Sequence, residues 1–385
     1  MLAAMDAGDK TDVAVIGAGM AGASVAYFLV EAGLSVRLFE MESQPGYHTT
    51  GRSAALFSEA YGPEQIRALT TGGRGFFEAP PAGFADHPLL TPRGAMFVAR
   101  ADQMDGLQAL AGEVGDLAPV ELLSAAQVRA GVPVLRADYV AGGMLEPGAM
   151  DIDVNALHQG FLRGMRAGGG NLVTDAQVSG LARDGDGWTI ETRAGTFRAA
   201  SVVNAAGAWC DEVAALAGAT PVGLVPKRRT AILFDPPSGV DISRWPLSVD
   251  VDEQWYFKPD AGKLMGSPAD ETPSPPTDAQ PEDLDVAIAV DRIQTAAELD
   301  IRRIDHKWAG LRSFVADKTP AAGYDDAVPG FFWLAGQGGY GIQTAPGLGR
   351  LAARLIQGDG VPADLADLGV EAAALSPRRP SLQQG

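Results

Sequence analysis

Asp12-Val-Ala-Val-Ile-Gly-Ala-Gly-Met-Ala-Gly22 is a short β-branched run followed at once by the pattern G-x-G-x-x-G. The run is typical of a strand buried in a parallel sheet, and residues 23–32 are predicted to form a helix. In such a turn the first glycine permits the tight bend, the second lets a pyrophosphate approach the backbone, and the third lets helix and strand pack closely. The helix N-terminus then offers free N–H groups to the phosphates.

A second predicted strand covers residues 35–39 and ends at Glu40. An acid about 20 residues beyond the glycines occupies the place where a dinucleotide site holds the ribose 2′-hydroxyl. Because a carboxylate there repels a 2′-phosphate, NADP is disfavoured. The strand, turn, helix, strand and acid together predict a dinucleotide site, and these residues alone leave both FAD and NAD open.

The composition narrows the class of protein. The 385 residues suggest two or three domains, and the net charge of −18 disfavours binding to nucleic acid or to anionic lipid. The single cysteine, Cys210, excludes an intrachain disulfide and a cysteine-cluster metal site. The four histidines show no ligand-like spacing, so we expect no metal.

The uncharged stretch over residues 13–30 is long enough to span a membrane, but its glycines indicate a buried strand, turn and helix instead. Residues 1–10 show no basic segment followed by an apolar run, so no signal peptide is predicted. We therefore expect a cytoplasmic protein without a membrane span. Peripheral contact with a membrane through its electron acceptor stays open.

Further motifs decide between the two cofactors. The chain continues as Glu40-Met-Glu-Ser-Gln-Pro-Gly-Tyr-His-Thr-Thr-Gly-Arg-Ser-Ala-Ala55, and together with the first motif this resembles the D-amino-acid-oxidase-like superfamily of FAD-dependent oxidoreductases. Within it, the chain is most similar to the bacterial D-arginine dehydrogenase type, which acts broadly on D-amino acids. Four more stretches carry the resemblance: 202–211, 226–229, 308–314 and 336–344.

The resemblance implies an α/β fold in which a Rossmann-like FAD-binding domain is interleaved with an α+β substrate domain built on an antiparallel sheet. The FAD-binding domain is expected over residues 1–85, 150–222 and 315–375. The substrate domain is expected over 86–149 and 223–314, and residues 376–385 are expected to form a flexible tail.

The resemblance also implies which residues contact FAD. They are Gly17, Gly19, Met20, Ala21, Gly22, Glu40, Met41, His48, Arg52, Ser53, Ala54, Ala55, Val178, Ala206, Gly207, Trp209, Gly336, Gly338, Gly339, Tyr340, Gly341, Ile342 and Gln343. The glycine-rich loop 336–341 precedes a helical pattern over 344–356, whose N-terminus would stabilise negative charge on the reduced flavin near N1–C2=O.

The mode of FAD attachment depends on His48. In related dimethylglycine-type enzymes a histidine in this region is linked covalently to FAD. Here the flanking sequence Gly-Tyr-His-Thr-Thr-Gly lacks their Trp-His pairing, so noncovalent FAD is predicted.

Arg229, Tyr256 and Arg312 take, by resemblance, the positions that hold a substrate carboxylate. A guanidinium fork matches a carboxylate, and a tyrosine adds a donor. Residues 253–262 alternate and then turn as a hairpin would. Tyr61 is expected to close over the substrate, and His48 is the candidate for a base beside the flavin.

The side-chain pocket departs from the D-arginine type. That type places a glutamate in the stretch Pro-Arg-x-x-Met, where this chain has Ala95. Without that carboxylate a buried cation would be costly to desolvate. Glu59 would restore a cation site if it turned inward. The pocket residues implied are Leu56, Phe57, Ser58, Tyr61, Ala95, Arg229, Tyr256, Arg312 and Gly339.

The expected reaction is oxidative deamination of neutral or hydrophobic D-amino acids. Hydride transfer from Cα–H to flavin N5 gives an imino acid, which water converts to a 2-oxo acid and ammonia. The electron acceptor is a quinone, a dye-like molecule or O2. Two alternatives remain: an oxidase of a small or secondary amine, of the glycine or sarcosine type, and a flavin-binding subunit of a larger complex.

Overall fold

The computed structural model describes residues 10–115 and 118–382. Within them the strands are β1 (Thr11–Ile16), β2 (Val36–Phe39), β3 (Leu56–Phe57), β4 (Leu90–Pro92), β5 (Ala95–Ala99), β6 (Glu121–Ser124), β7 (Gly142–Glu146), β8 (Met150–Ile152), β9 (Asn171–Val173), β10 (Val178–Asp184), β11 (Gly187–Thr192), β12 (Gly195–Asn204), β13 (Val225–Phe234), β14 (Leu247–Asp250), β15 (Tyr256–Asp260), β16 (Lys263–Ser267), β17 (Thr272–Pro273), β18 (His306–Phe314), β19 (Ala321–Tyr324) and β20 (Phe331–Ala335).

The α-helices are α1 (Met20–Glu31), α2 (Glu64–Glu78), α3 (Met104–Val114), α4 (Ala125–Gly131), α5 (Val154–Ala167), α6 (Cys210–Leu216), α7 (Asp283–Ala296), α8 (Ala345–Gln357), α9 (Ala363–Asp367) and α10 (Ala372–Leu375). Short 3₁₀ turns cover Thr49–Arg52, Ala101–Gln103, Gly207–Trp209 and Pro380–Leu382. No helix among the described residues is both long and apolar enough to cross a bilayer.

An eight-stranded sheet carries the glycine motif. Its core is parallel and runs β9-β2-β1-β12-β20, while the β10–β11 hairpin and β19 extend it with antiparallel pairs. Helices α1, α5 and α8 pack together in the apolar core against this sheet. The predicted α/β fold is confirmed.

The turn after β1 has no room for side chains at two glycines. A Cβ added at Gly22 would lie 1.8 Å from the Gly17 carbonyl oxygen. Gly17 itself has φ +97°, and a Cβ there would lie 2.5 Å from the Ala205 oxygen at the end of β12. Three chain segments therefore meet at van der Waals distance where β1 passes into α1.

The second sheet has nine strands and lies across the cavity from the first. Eight follow one another in the order β17-β13-β16-β15-β14-β5-β7-β6, and β18 pairs with β13 along nine residue pairs. The sheet was predicted to be antiparallel, but the pair β14–β5 is parallel. A small antiparallel sheet, β3-β8-β4, lies beside these two.

The first sheet takes its strands from 11–39, 171–204 and 321–335, and the second takes its strands from 95–146 and 225–314. The division into two domains stays a prediction. The parts of the predicted N-terminal segment and tail at residues 1–9 and 383–385 lie outside the described residues.

Residues 376–382 do not form the loose tail that the sequence predicts. The Arg379 guanidinium is buried and donates from Nε and Nη2 to the two carboxylate oxygens of Asp317, at 2.7 Å each. This pair lowers the pKa of Asp317 to about 2, against the opposing effect of its burial. The bidentate ion pair fixes the segment on the loop that follows β18.

We expect Gly22→Ala to destabilise the fold by more than about 3 kcal/mol, because the new methyl group would overlap backbone that cannot move aside. Thermal unfolding and flavin content measure the effect. Gly75→Ala is the matched control, since Gly75 lies exposed in α2 with nothing near its Cβ position. That control should be stabilised by about 0.5–1 kcal/mol, and equal behaviour of the two variants would contradict the packing argument.

Candidate active site

A cavity of about 440 Å³ lies between the two large sheets, beyond the carboxyl ends of β1 and β12. Ligands of open α/β sheets bind at this edge of the sheet. The predicted cofactor residues that line it are Gly17, Gly19, Met20, Ala21, Glu40, Met41, His48, Arg52, Ser53, Ala54, Ala55, Val178, Ala206, Gly207, Trp209, Gly338, Gly339, Gly341, Ile342 and Gln343. The predicted substrate residues that line it are Leu56, Ser58, Tyr61, Ala95, Arg229, Tyr256, Arg312 and Gly339.

Four residues from the predicted sets do not line this cavity: Gly22, Gly336, Tyr340 and Phe57. The side chain of Phe57 is fully buried against Phe77 in the core, because it follows Leu56 in a strand and must point to the opposite face. Tyr340 packs against Tyr61 behind the cavity wall. Gly22 and Gly336 contact backbone and the Val315 side chain, respectively.

Three side chains form hydrogen bonds with the backbone of the glycine turn. The Ala18 amide donates to Glu40 Oε2 at 3.0 Å, and the Met20 amide donates to Thr50 Oγ1 at 3.0 Å. His158 Nε2 lies 2.9 Å from the Ala18 carbonyl oxygen. The first turn of α1 contains no acidic residue, so its positive dipole end is available to an anion.

Two of these supports were not predicted from the sequence. His158 is buried in α5 beneath the turn, and burial lowers its pKa, so a neutral imidazole supports the loop. Thr50 reaches the loop from the 3₁₀ turn that precedes Ser53. The sequence around His158 shows no motif that would predict its contact with the Ala18 carbonyl oxygen.

Glu40 takes the position that the dinucleotide pattern predicts. Its Oε1 accepts from the Glu42 amide at 3.0 Å, in addition to the Ala18 contact, and the carboxylate is 7% exposed. Burial raises the pKa of Glu40, while the hydrogen bonds from the Glu42 and Ala18 amides lower it. Each oxygen keeps a lone pair that a ribose hydroxyl can use.

The segment from His48 to Arg52 forms the side wall. His48 Nε2 lies 2.9 Å from Glu42 Oε1, and its ring packs on Trp209 with centroids 4.8 Å apart. Arg52 donates to the Ala279 carbonyl oxygen at 2.7 Å, which ties this wall to the second sheet's loop.

Two arginines reach the other end of the cavity from neighbouring strands. Arg229 of β13 stands opposite Gly310 of β18, and Arg312 lies two residues further along β18. Arg312 Nη1 donates to the Tyr61 hydroxyl at 3.4 Å. A Cβ at Gly339 would lie 2.8 Å from Arg312 Cζ, so a larger residue there would displace this guanidinium.

The Arg229 guanidinium is buried and is held by one hydrogen bond and one ion pair. Its side chain is 7% exposed, and Nε donates to the Asp270 carbonyl oxygen at 2.8 Å. Nη2 is buried and makes no hydrogen bond, since the Glu271 oxygen is 3.5 Å away. His48 Nδ1 and Gln337 Nε2, from two other cavity-lining residues, are also buried without a partner. These polar atoms lie in residues that line the cavity and so place polar groups along its wall.

Burial also sets the protonation state of Tyr61. Burial raises the pKa of Tyr61, and the nearby Arg312 charge offsets this only in part. The phenol is therefore protonated at neutral pH. Tyr256 is 7% exposed and lines the same end of the cavity. The two phenols and two guanidinium groups therefore present donors to one region.

The glycine turn, Glu40 and the wall of small residues fit an adenine dinucleotide, and the separate arginine end fits a second, anionic molecule. This combination defines a dinucleotide-dependent oxidoreductase. A family model described as FAD dependent oxidoreductase, DAO, matches residues 12–355. The chain therefore belongs to the DAO family of FAD-dependent oxidoreductases, and FAD is its cofactor.

Known proteins resemble the chain over most of its length. Human mitochondrial dimethylglycine dehydrogenase is 24% identical over 94% of this chain, which spans 44% of that longer protein. D-amino acid dehydrogenase of Cereibacter sphaeroides is 30% identical over 68% of this chain and 60% of its own length. The crystal structure of glycine oxidase from Geobacillus kaustophilus superposes with a TM-score of 0.84 at 22% identity, covering 96% of this chain and 99% of that one.

These names confirm the predicted superfamily. They divide among several amine substrates, so the finer resemblance to the D-arginine dehydrogenase type stays a prediction.

We expect Glu40→Gln to weaken FAD binding by about tenfold, because one buried amide N–H would lose its acceptor and face an amide NH2. Titration of the apoprotein with FAD, followed by flavin fluorescence, measures this. Glu31→Gln is the control, since Glu31 is an exposed acid at the end of α1. Equal affinities of the two variants would overturn the assignment of Glu40 to the ribose.

Proposed function

We propose that this protein catalyses FAD-dependent oxidative deamination of D-amino acids and prefers neutral side chains. The observation that carries the proposal is the pair of guanidinium groups, Arg229 and Arg312, that line one end of the cavity together with Tyr256. A substrate carboxylate matches the positive charge and the N–H donors of these two groups. The similarity to amine and amino-acid oxidoreductases supports the same substrate class.

The carboxylate would be held by charge-assisted hydrogen bonds. Two guanidinium groups on adjacent strands present several N–H donors, and protonated Tyr61 adds another. Because the arginines come from paired strands, their separation is fixed by sheet geometry and not by a mobile loop. Binding the carboxylate there fixes the orientation of Cα.

Bound FAD supplies the capacity to accept two electrons. The residues of this chain orient the substrate so that Cα–H leaves with its electron pair and the amine nitrogen loses a proton, which gives a C=N bond. Water then adds to this imino acid, and a 2-oxo acid and ammonia are released. Tyr61 acts as a donor to the carboxylate and not as the base, because its pKa is raised by burial.

The pocket near Ala95 is apolar. Ala95, Phe97 and Val249 of the second sheet line the cavity there, together with Leu56. Glu59 does not restore a cation site: its Oε1 accepts from Arg74 Nε at 3.2 Å, and it does not line the cavity. A cationic side chain beside Ala95 would therefore be desolvated without an ion pair from Glu59, and the acid that lines this end of the cavity is Glu253.

A small or secondary amine is the second candidate substrate. It is favoured by the similarity of the chain to dimethylglycine dehydrogenase and of its fold to glycine oxidase. Such a substrate has the same carboxylate for Arg229 and Arg312 but leaves the pocket near Ala95 empty. The two candidates therefore differ in their use of that pocket.

The test is anaerobic mixing of the purified holoenzyme with D- and L-amino acids while the flavin absorbance is followed. We expect reduction by D-leucine, D-methionine or D-phenylalanine, little by D-arginine and none by the L-enantiomers. Acid precipitation of the same preparation should release all the flavin, as noncovalent binding requires. Reoxidation by O2 against a quinone or a dye identifies the acceptor class.

The same assay separates the other outcomes. Reduction by glycine or sarcosine alone would replace this proposal with the secondary-amine candidate. Rapid reduction by D-arginine would contradict the neutral preference.

We expect Arg229→Lys to lower kcat/KM about 10- to 100-fold, mainly through KM, because a hydrogen bond to a charged group contributes about 1.5–3 kcal/mol. Arg228→Lys is the matched control: Arg228 points to the opposite face of β13 and binds Asp285 and Glu282. Steady-state kinetics with the best D-amino acid compares them. Similar losses in both variants would show that Arg229 acts through stability.

A further inference from the structure

A buried hydrogen-bonded pair, Ser58 and Glu146, stands beside the side-chain pocket. Ser58 follows β3 and lines the cavity, and its hydroxyl lies 2.6 Å from Glu146 Oε2. Glu146 is 2% exposed and belongs to β7, where it is directly opposite Ala95 of β5. Side chains at opposed positions share a face of the sheet, so this carboxylate neighbours the position that departs from the D-arginine type.

The remaining oxygen of Glu146 is also occupied. Oε1 accepts from the Glu59 amide at 2.9 Å and from the Ala60 amide at 3.4 Å. Three donors therefore converge on the carboxylate, and each of them favours its ionised form. Burial and the nearby Glu59 charge raise the pKa of Glu146 above its ordinary value, and the bonds from Ser58, Glu59 and Ala60 offset this only in part.

This arrangement fixes the direction of the Ser58 hydroxyl. A serine hydroxyl has one proton and two lone pairs. Because the Glu146 oxygen can only accept, the single proton of Ser58 is donated to it. The oxygen of Ser58 can then offer lone pairs, and no donor, to a molecule in the cavity.

We infer that Ser58, oriented by Glu146, is a specificity-determining hydrogen-bond acceptor for the substrate side chain. The inference rests on the proposed oxidation of D-amino acids and, among neutral side chains that fill the pocket, adds a preference for those that carry an N–H or O–H donor. A side-chain carboxylate meets only lone pairs there, with a buried negative charge behind them, and is rejected. Glu146 is a positioning residue, since it acts through Ser58.

The test uses three substrates of similar length. The side chain of D-glutamine carries an N–H donor, that of D-glutamate carries only acceptors at neutral pH, and that of D-methionine carries neither an N–H donor nor a strong acceptor. Both kcat/KM and the Kd from perturbation of the oxidised flavin spectrum are measured in the holoenzyme. We expect D-glutamine to exceed D-glutamate by at least about 100-fold in wild type. Ser58→Ala should lower the D-glutamine to D-methionine ratio about three- to tenfold, the effect of one neutral hydrogen bond.

Glu146→Gln gives the sharper result. The amide oxygen would keep the Glu59 contact, and the amide NH2 would donate to Ser58, whose proton is then free to point into the cavity. We expect the preference for D-glutamine over D-glutamate to fall at least tenfold. Glu59→Gln is the control: it removes the adjacent buried acid and keeps the Ser58–Glu146 bond, so both ratios should stay as in wild type.

Unchanged ratios in Ser58→Ala and Glu146→Gln, with flavin spectra and melting temperatures like those of wild type, would overturn the inference. So would equal use or binding of D-glutamate and D-glutamine by wild type. Failure of every D-amino acid to reduce the flavin would refute the proposed function instead. In that case the Kd ratios of the same compounds still decide whether Ser58 is an acceptor.

Discussion

The contact between Gly17, Gly22 and Ala205 is the constraint on which the cofactor end of the cavity depends. Here β1 turns into α1 while the end of β12 passes alongside, and no Cβ fits at either glycine. The close approach places the first turn of α1 at the sheet edge, where its N-terminal dipole meets the phosphates. It also brings Ala18 within reach of Glu40 and His158, which hold the turn in place.

Local patterns predicted the parts of the site that are local in sequence. The glycine turn, Glu40 and the loop before α8 all border the cavity, although Gly22, Gly336 and Tyr340 do not line it, because the path of each segment is set by neighbouring residues. The approach of Arg229 to Arg312 could be expected only through the resemblance, since the pairing of β13 with β18 joins strands separated by more than 70 residues.

Contacts made only in the tertiary structure were not predictable. His158, Thr50 and Glu146 each support a loop to which they are not adjacent in sequence, and their residue types are common in such positions. The resemblance placed Phe57 in the pocket, but Phe57 follows Leu56 in a strand and its side chain points to the opposite face, into the core. The tail was misjudged because its fixing partner, Asp317, lies about 60 residues earlier.

The interleaving of the two sheets has a consequence for synthesis on the ribosome. β1 and β2 emerge early, but β12, the other neighbour of β1, follows more than 150 residues later. At roughly 5–20 residues per second this interval is roughly 8 to 30 s, during which β1 has an unpaired edge. The loop before α8 emerges later still, so FAD cannot find its complete site until almost the whole chain has been made. The nascent chain must therefore be shielded from aggregation before its cofactor can stabilise it.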